Sequence, residues 1–112
     1  MYAFDVLRIE SRMDFILKVT MEYLSYVRQA LGVKQEENVN LMNGALVRDL
    51  LCVLAEKHGE PFRKHVYDPR GDKMKPNNLL IVNGMLVSQL NGAETKLKDG
   101  DRLALMPAVH GG

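Results

Sequence analysis

The sequence contains one cysteine, no tryptophan and no marked excess of either charge. Cys52 has no second cysteine to pair with and no His/Cys cluster at zinc spacing around it, so neither an internal disulfide nor a zinc site is expected. The 15 Lys and Arg residues are balanced by 14 Asp and Glu residues, which gives no reason to expect a nucleic-acid partner. This usage is typical of a reducing compartment, and we expect a cytoplasmic location.

Long apolar runs and catalytic motifs are also missing from the sequence. No apolar run reaches the roughly 18 to 20 residues that span a bilayer, so no membrane partner is expected. The sequence has no Gly-rich phosphate-binding motif, no paired catalytic carboxylates and no catalytic triad. With 112 residues, 46% of them hydrophobic, the chain is predicted to form one domain that is not an enzyme by itself and binds no cofactor or metal.

In the first half of the chain, the spacing of apolar side chains changes from every second residue, typical of a strand, to the period of a helix. Residues 15 to 24 alternate between apolar and polar side chains and predict a half-buried strand. Residues 25 to 32 predict a turn or short helical connector, and residues 37 to 42 predict a second strand. Apolar side chains then recur at i, i+3, i+4 and i+7 from Val47 to Leu54, which predicts an amphipathic helix that Gly59 ends.

The second half is read mainly from its glycines and prolines. Residues 60 to 78 contain three of the four prolines and predict a long irregular connection. Asn83 and Gly84 lie between two short apolar runs and predict a hairpin with a type I′ turn. A last strand is predicted over residues 102 to 106, and Pro107 is expected to end its pairing because proline has no amide hydrogen.

The order strand, strand, helix, strands defines the predicted fold class. It indicates an α+β fold with one main helix across one face of a mixed sheet of four to five strands. Ubiquitin-like β-grasp domains share this order. The β-grasp domain is assigned to residues 15 to 106, a flexible functional tail to residues 107 to 112, and an extension of unknown role to residues 1 to 14.

The C-terminal sequence is the most specific feature of the chain. Residues 97 to 112 read LKDGDRLALMPAVHGG and combine a Leu-x-Asp-Gly-Asp strand entry, a proline and two final glycines. Supporting matches lie upstream, in YVRQALG at residues 26 to 32, VRDLL at residues 47 to 51 and VNG at residues 82 to 84. On these residues the chain resembles sulfur carriers of the MoaD/ThiS family, and within that family it is most similar to the small subunits of molybdopterin synthase.

The resemblance implies that the carboxylate of Gly112 is the working group. An adenylyltransferase of the ubiquitin-activating type would use ATP and magnesium to convert it into an acyl-adenylate, and a persulfide sulfur donor would install sulfur. The Gly112 thiocarboxylate would then enter the large subunit of molybdopterin synthase and donate its sulfur in molybdenum or tungsten cofactor biosynthesis. Gly111 and Gly112 suit this role because a backbone without side chains passes most easily into another protein's active site.

Other functions fit the same residues. A ubiquitin-like modifier would pass the Gly112 acyl group to a lysine, and a carrier for thiazole synthesis would form the same thiocarboxylate. A noncovalent interaction module that uses only its exposed sheet is the weakest alternative. It predicts that removal of Gly111 and Gly112 leaves function intact.

The sheet face that the helix does not cover is the expected partner surface. Alternation turns Leu103 and Leu105 inward and Ala104 and Met106 outward, although singly scattered surface hydrophobics are the alternative interpretation. The predicted partner-binding residues are Leu24, Ala104, Met106, Pro107, Val109 and His110. For His110, a solvated side chain and a role in proton transfer near the tail carboxylate are both open.

Residues 1 to 14 lie outside the resemblance. They contain acidic residues, unlike a targeting peptide. An added strand, a lid and an upstream start ahead of Met13 are all compatible with them.

Overall fold

The computed structural model describes residues 16–71 and 73–108. The strands in this part of the chain are β1 (Ile16–Tyr23), β2 (Glu36–Met42), β3 (Tyr67–Asp68), β4 (Lys73–Met74), β5 (Asn78–Val82), β6 (Met85–Leu86) and β7 (Arg102–Pro107). The α-helices in the same ranges are α1 (Tyr26–Leu31), α2 (Val47–His58) and α3 (Glu60–His65).

Five of these strands form one mixed sheet with the spatial order β2-β1-β7-β5-β6. β1 pairs antiparallel with β2 and parallel with β7, and β7 pairs antiparallel with β5. The last strand of the chain therefore lies in the middle of the sheet. This arrangement confirms the predicted α+β class and the ubiquitin-like β-grasp order.

The core lies between the helices and one face of the sheet. Alternate residues of β1 are buried, and the apolar stripe of α2 lies against them with Val47, Leu50, Leu51 and Leu54 fully buried. The helix begins where the Asp49 side chain accepts a 2.8 Å hydrogen bond from the amide of Leu46. It ends at Gly59, with φ of 75°, as the sequence predicts.

The irregular connection predicted for residues 60 to 78 is wrong. This segment contains α3 and the antiparallel pair β3-β4. Pro61 lies in the first turn of α3, where a helix needs no amide donor, so the proline starts the helix instead of breaking it. The segment also buries Phe62, Val66 and Tyr67, which anchors it to the core.

The hairpin between β5 and β6 is confirmed. Asn83 and Gly84 adopt φ of 49° and 87°, the positive values that both central positions of a type I′ turn require. The Asn83 side chain also holds the entry to β7, because it donates to Asp101 Oδ1 at 2.8 Å and accepts from the amide of Arg102 at 3.0 Å. None of the helices within residues 16–71 and 73–108 is long and apolar enough to cross a bilayer.

Candidate functional site

The base of the C-terminal tail is paired with the chain on the β5 side. The expectation that Pro107 ends the pairing is wrong, because Pro107 belongs to β7 opposite Asn78 and the amide of Ala108 donates to the Asn77 carbonyl at 2.7 Å. The tail boundary predicted at residue 107 therefore lies within the strand.

Backbone geometry explains why this proline is tolerated. The Leu105 carbonyl accepts a hydrogen bond from the amide of Leu24, so Leu105 directs its backbone polar groups toward β1. Pro107, two residues later, directs its nitrogen to the same side. β1 has already ended there, at Tyr23, so the missing amide hydrogen removes no ladder bond.

The chain path is thus defined as far as Ala108. Val109, His110, Gly111 and Gly112 lie outside the described residues, and their predicted roles stay predictions. The strand that leads to them is the central strand of the sheet, held by β1 on one side and by β5 on the other. The pairing of β7 therefore fixes the backbone as far as Ala108.

The open face of the sheet carries the other predicted site residues. Leu103 and Leu105 are buried in the core, and Ala104 and Met106 lie half-buried at the alternate positions. Leu24 is half-buried immediately after β1, where its amide bonds to β7. The structure thus brings Leu24, Ala104 and Met106 together, while their role in binding a partner remains a prediction.

Two residues of this face were missed by the sequence analysis. Leu79 lies directly opposite Met106, and Ile81 lies directly opposite Ala104 in the antiparallel register. Leu80 and Val82, which alternate with them, are buried, so alternation along the predicted strand gave the signal. We call Leu79, Ile81, Ala104 and Met106 the open-face patch.

Polar groups border the patch. On the β1 side, Glu22 is the register partner of Ala104. A shallow hollow of about 360 Å³ is lined by Glu22, Ile81, Gly84 and Ala104, among others. An apolar centre with a polar rim is the usual anatomy of a protein interface.

A half-buried charge cluster, also missed by the sequence analysis, lies at the same end of the sheet as the tail. Glu37 Oε2 accepts a 2.6 Å hydrogen bond from the Tyr23 hydroxyl and lies 2.7 Å from His58 Nε2. Glu37 Oε1 accepts a 2.6 Å bond from Lys57 Nζ. The signal was a glutamate at an inward position of β2, next to buried Val39.

The cluster fixes ionisation states rather than creating a reactive group. Burial acts to raise the pKa of Glu37, but the hydrogen bonds from Lys57, Tyr23 and His58 outweigh it and hold the pKa below its ordinary value. Burial, with the bonded Glu37 carboxylate, raises the pKa of Tyr23 far above its ordinary value. The tyrosine therefore remains a donor, and the cluster ties the end of α2 to β1 and β2.

The described residues contain no group of three or more His, Cys, Asp or Glu side chains that could hold a metal ion. Cys52 is half-buried and packs against the core. The described residues form a sheet whose central strand, β7, leads to Ala108 beside an apolar face. This is the architecture of a ubiquitin-like β-grasp domain.

Comparison with solved structures agrees with this class. A putative molybdopterin converting factor, subunit 1, from Pyrococcus furiosus is 33% identical, with a TM-score of 0.64 over 83% of this chain and 99% of that one. Small archaeal modifier protein 1 from Methanosarcina acetivorans is 25% identical, with a TM-score of 0.67 over 87% and 98%. A chain of the BexX/CysO complex from Amycolatopsis orientalis is 26% identical, with a TM-score of 0.64 over 84% and 99%.

The sequence assigns the chain to one family. The ThiS family model matches residues 21–112, and the chain belongs to that family. No curated relative matches the chain by sequence. With these neighbours, the family is one of sulfur carriers or ubiquitin-like modifiers.

Proposed function

We propose that this chain is a sulfur carrier whose Gly112 carboxylate is adenylated and then converted to a thiocarboxylate, and that it serves as the small subunit of molybdopterin synthase. The observation that carries the proposal is that β7, the central strand, ends three residues before a Gly-Gly sequence. Membership of the ThiS family and the similarity to the Pyrococcus furiosus protein support it.

The chemistry proceeds in two steps on the terminal carbonyl carbon. A Gly112 carboxylate oxygen attacks the α-phosphorus of ATP, and pyrophosphate leaves to give the acyl-adenylate. The terminal sulfur of a persulfide donor then attacks the acyl carbon and displaces AMP. A thiol cleaves the resulting sulfur–sulfur bond, which leaves the thiocarboxylate on Gly112 and a disulfide on the donor. ATP and magnesium are bound by the adenylyltransferase.

This chain supplies reach and position. The four residues beyond Ala108 extend at most about 13 to 14 Å, so the carboxylate can enter a deep partner site while the domain stays outside. Glycine at residues 111 and 112 offers no side chain to the walls of that site. The rigid base at Ala108 limits the conformations that the tail must lose on entry.

The open-face patch supplies recognition in this proposal. Leu79, Ile81, Ala104 and Met106 form a continuous apolar area across β5 and β7, and Leu24 and Pro107 lie at its margin toward the tail. The large subunit of molybdopterin synthase would cover this patch while it takes the tail. Burial of such a patch is a normal source of affinity between proteins.

Reconstitution of sulfur transfer tests the proposal. The thiocarboxylated chain, mixed with a purified large subunit and the cyclic pterin precursor, is expected to give the dithiolene product and to regenerate a carboxylate at Gly112. The matched control is the chain that lacks Gly111 and Gly112, which should give no product. Formation of product by that control, or no product from the thiocarboxylated chain beside an active reference carrier, would count against the proposal.

Protein modification is the second candidate, favoured by the similarity to small archaeal modifier protein 1. In that case the Gly112 acyl group would form an isopeptide bond with a lysine. Conjugates on lysine side chains in cells would support this function. Sulfur transfer to a thiazole precursor, with no transfer to the pterin, would instead assign the carrier to thiazole synthesis.

A further inference from the structure

A small hollow lies beside the base of the tail. It has a volume of about 40 Å³ and is lined on its polar side by Tyr26 of α1, His65 of α3, Asn77 and Asn78. Val27 and Leu31 of α1 form its apolar floor. We call it the exit hollow.

Two hydrogen bonds fix the exit hollow to the point where the tail leaves the sheet. The Asn77 carbonyl accepts the amide hydrogen of Ala108 at 2.7 Å. The Asn78 side chain donates to the carbonyl of His65, and Asn78 is the register partner of Pro107. A partner that takes the tail therefore meets this hollow.

The hollow offers hydrogen-bond donors. The Tyr26 side chain is 53% exposed, and His65 and Asn77 are also exposed. Their side chains make no hydrogen bond to another residue within 16–71 and 73–108. A phenol, an imidazole and a carboxamide can all donate to one anionic group.

Two basic residues are neighbours in sequence of residues that line the hollow. Arg28 follows Val27 in α1, Lys64 precedes His65 in α3, and α1 contains no acidic residue. The acidic residue of α3, Glu60, is paired with Arg63 at 3.3 Å. The positive charges of Arg28 and Lys64 favour a negatively charged group on the partner.

We propose that the exit hollow binds a carboxylate side chain on the surface of the adenylyltransferase that activates this carrier. The identity of that partner rests on the proposed function. The tail separates Ala108 from the reacting carboxylate by up to about 13 to 14 Å, so the hollow lies at the mouth of the enzyme's channel and meets protein rather than nucleotide. The hollow is on the helix side of the sheet and the open-face patch is on the other, so a substitution in the hollow leaves the patch unchanged.

Charge reversal tests the proposal. The double variant Lys64→Glu/His65→Glu is compared with Lys96→Glu/Lys98→Glu, in which both lysines are exposed. Leu97 between these two lysines bonds to Ala45 ahead of α2, at the end of the sheet opposite the tail. The control therefore changes the net charge in the same direction at a distant place.

The measurement is the KM for the carrier and the kcat of ATP-dependent adenylation by the purified adenylyltransferase of molybdopterin synthesis. The Lys64→Glu/His65→Glu variant is expected to raise KM by roughly five- to twentyfold with kcat unchanged. The wild-type KM is expected to rise when ionic strength increases from about 0.01 M to about 0.15 M, as the Debye length falls from about 30 Å to about 8 Å. Equal effects of the two double variants on KM would overturn the proposal.

Binding of a tail-shortened chain separates this inference from the chemistry. A chain without Gly111 and Gly112 is expected to bind the adenylyltransferase in a salt-dependent way, and the Lys64→Glu/His65→Glu changes are expected to weaken that binding. Full-length chain that binds but is never adenylated would contradict the proposed function and leave the hollow supported. Normal adenylation of the Lys64→Glu/His65→Glu variant with an unchanged KM would contradict only the proposed role of the exit hollow. If neither the full-length nor the shortened chain binds the adenylyltransferase, both this role and the proposed function are contradicted.

Discussion

Tyr23 and Glu37 are joined by a 2.6 Å hydrogen bond between the phenol and the carboxylate, across neighbouring strands β1 and β2. The same carboxylate is bonded by Lys57 and His58 at the end of α2. The rings of His58 and Tyr23 make a T-shaped contact, with their centroids 6.2 Å apart. This cluster closes the core at the end of the sheet from which the tail leaves.

Loss of the Glu37 charge should destabilise the fold. Glu37→Gln is expected to lower the free energy of unfolding by about 1 to 3 kcal/mol, since hydrogen bonds to a charged, mostly buried group are lost. Urea denaturation measures the change. The matched control is Glu36→Gln, whose exposed pair with Arg102 should be worth less than about 1 kcal/mol. Equal losses in the two variants would contradict this account.

The contribution of Glu37 should also depend on pH. Its pKa is lower in the folded protein than the ordinary value of 4.5, so the folded state binds the proton less tightly than the unfolded state does. The stabilisation is therefore complete above pH 4.5 and is lost as the pH falls through the lower folded-state pKa. The difference between wild type and Glu37→Gln in unfolding free energy should shrink below pH 4.5, and a constant difference would be inconsistent with this linkage.

Ser25 offers a substitution that should increase stability. Its φ of 58° and ψ of −143° lie in a region suited to glycine, and its side chain makes no capping hydrogen bond to α1. Ser25→Gly is expected to raise the free energy of unfolding by about 1 kcal/mol, the relief of strain being larger than the added freedom of the unfolded chain. Ser25→Ala, which keeps the strain, should show no such gain in urea denaturation. A destabilised glycine variant would be the contrary result.

Gly84 should show the opposite behaviour. Its φ is 87°, and no atom lies within 4 Å of the position that a Cβ would occupy, so an added methyl group costs conformational energy alone. Gly84→Ala is expected to lower stability by about 1 to 2 kcal/mol. Gly71→Ala is the control, because its φ is not in the left-handed region and its nearest contact is an ordinary 3.8 Å. Similar thermal unfolding of the two variants would contradict the predicted turn geometry.

A substitution in the open-face patch should weaken binding to the partner while it leaves the stability of the fold nearly unchanged. Ile81→Lys places a charge opposite Ala104 and near Glu22. We expect the free energy of unfolding to change by less than about 1 kcal/mol. Binding to the molybdopterin synthase large subunit should weaken at least about tenfold, because the charge would be desolvated in the interface. Calorimetric titration measures the affinity. The control Met42→Lys alters an exposed residue at the far edge of the sheet and should bind normally; equal weakening would exclude the patch as the interface.

Local signals account for what could be predicted from the sequence. The two-residue period of β1, the helical period from Val47 to Leu54 and the Asn83-Gly84 turn each act over a few residues, and all three were confirmed. The prediction of an irregular connection over residues 60 to 78 is wrong because proline does not always break a helix, and Pro61 starts α3. The burial of Phe62 depends on packing between distant elements, which no local pattern reveals.

The residues of the candidate site also fall into those that a local pattern indicates and those that only the tertiary structure brings together. Alternation gave the outward positions of Ala104 and Met106, but Leu79 and Ile81 join them only through the pairing of β5 with β7. That pairing brings together strands separated by a long stretch of chain. The cluster around Glu37 likewise forms only when the end of α2 packs against β2. The sequence contains its residues but does not indicate that they are in contact.

Intact mass spectrometry at Gly112 tests the central claim most directly. The chain is incubated with ATP, magnesium, a persulfide sulfur donor and the adenylyltransferase, and is then compared with a chain that lacks Gly112. We predict a gain of about 16 dalton, the exchange of one oxygen for sulfur, located at the C-terminus and absent from the shortened chain. No gain beside a working reference carrier, or the same gain in the shortened chain, would contradict the assignment of Gly112 as the sulfur-carrying residue.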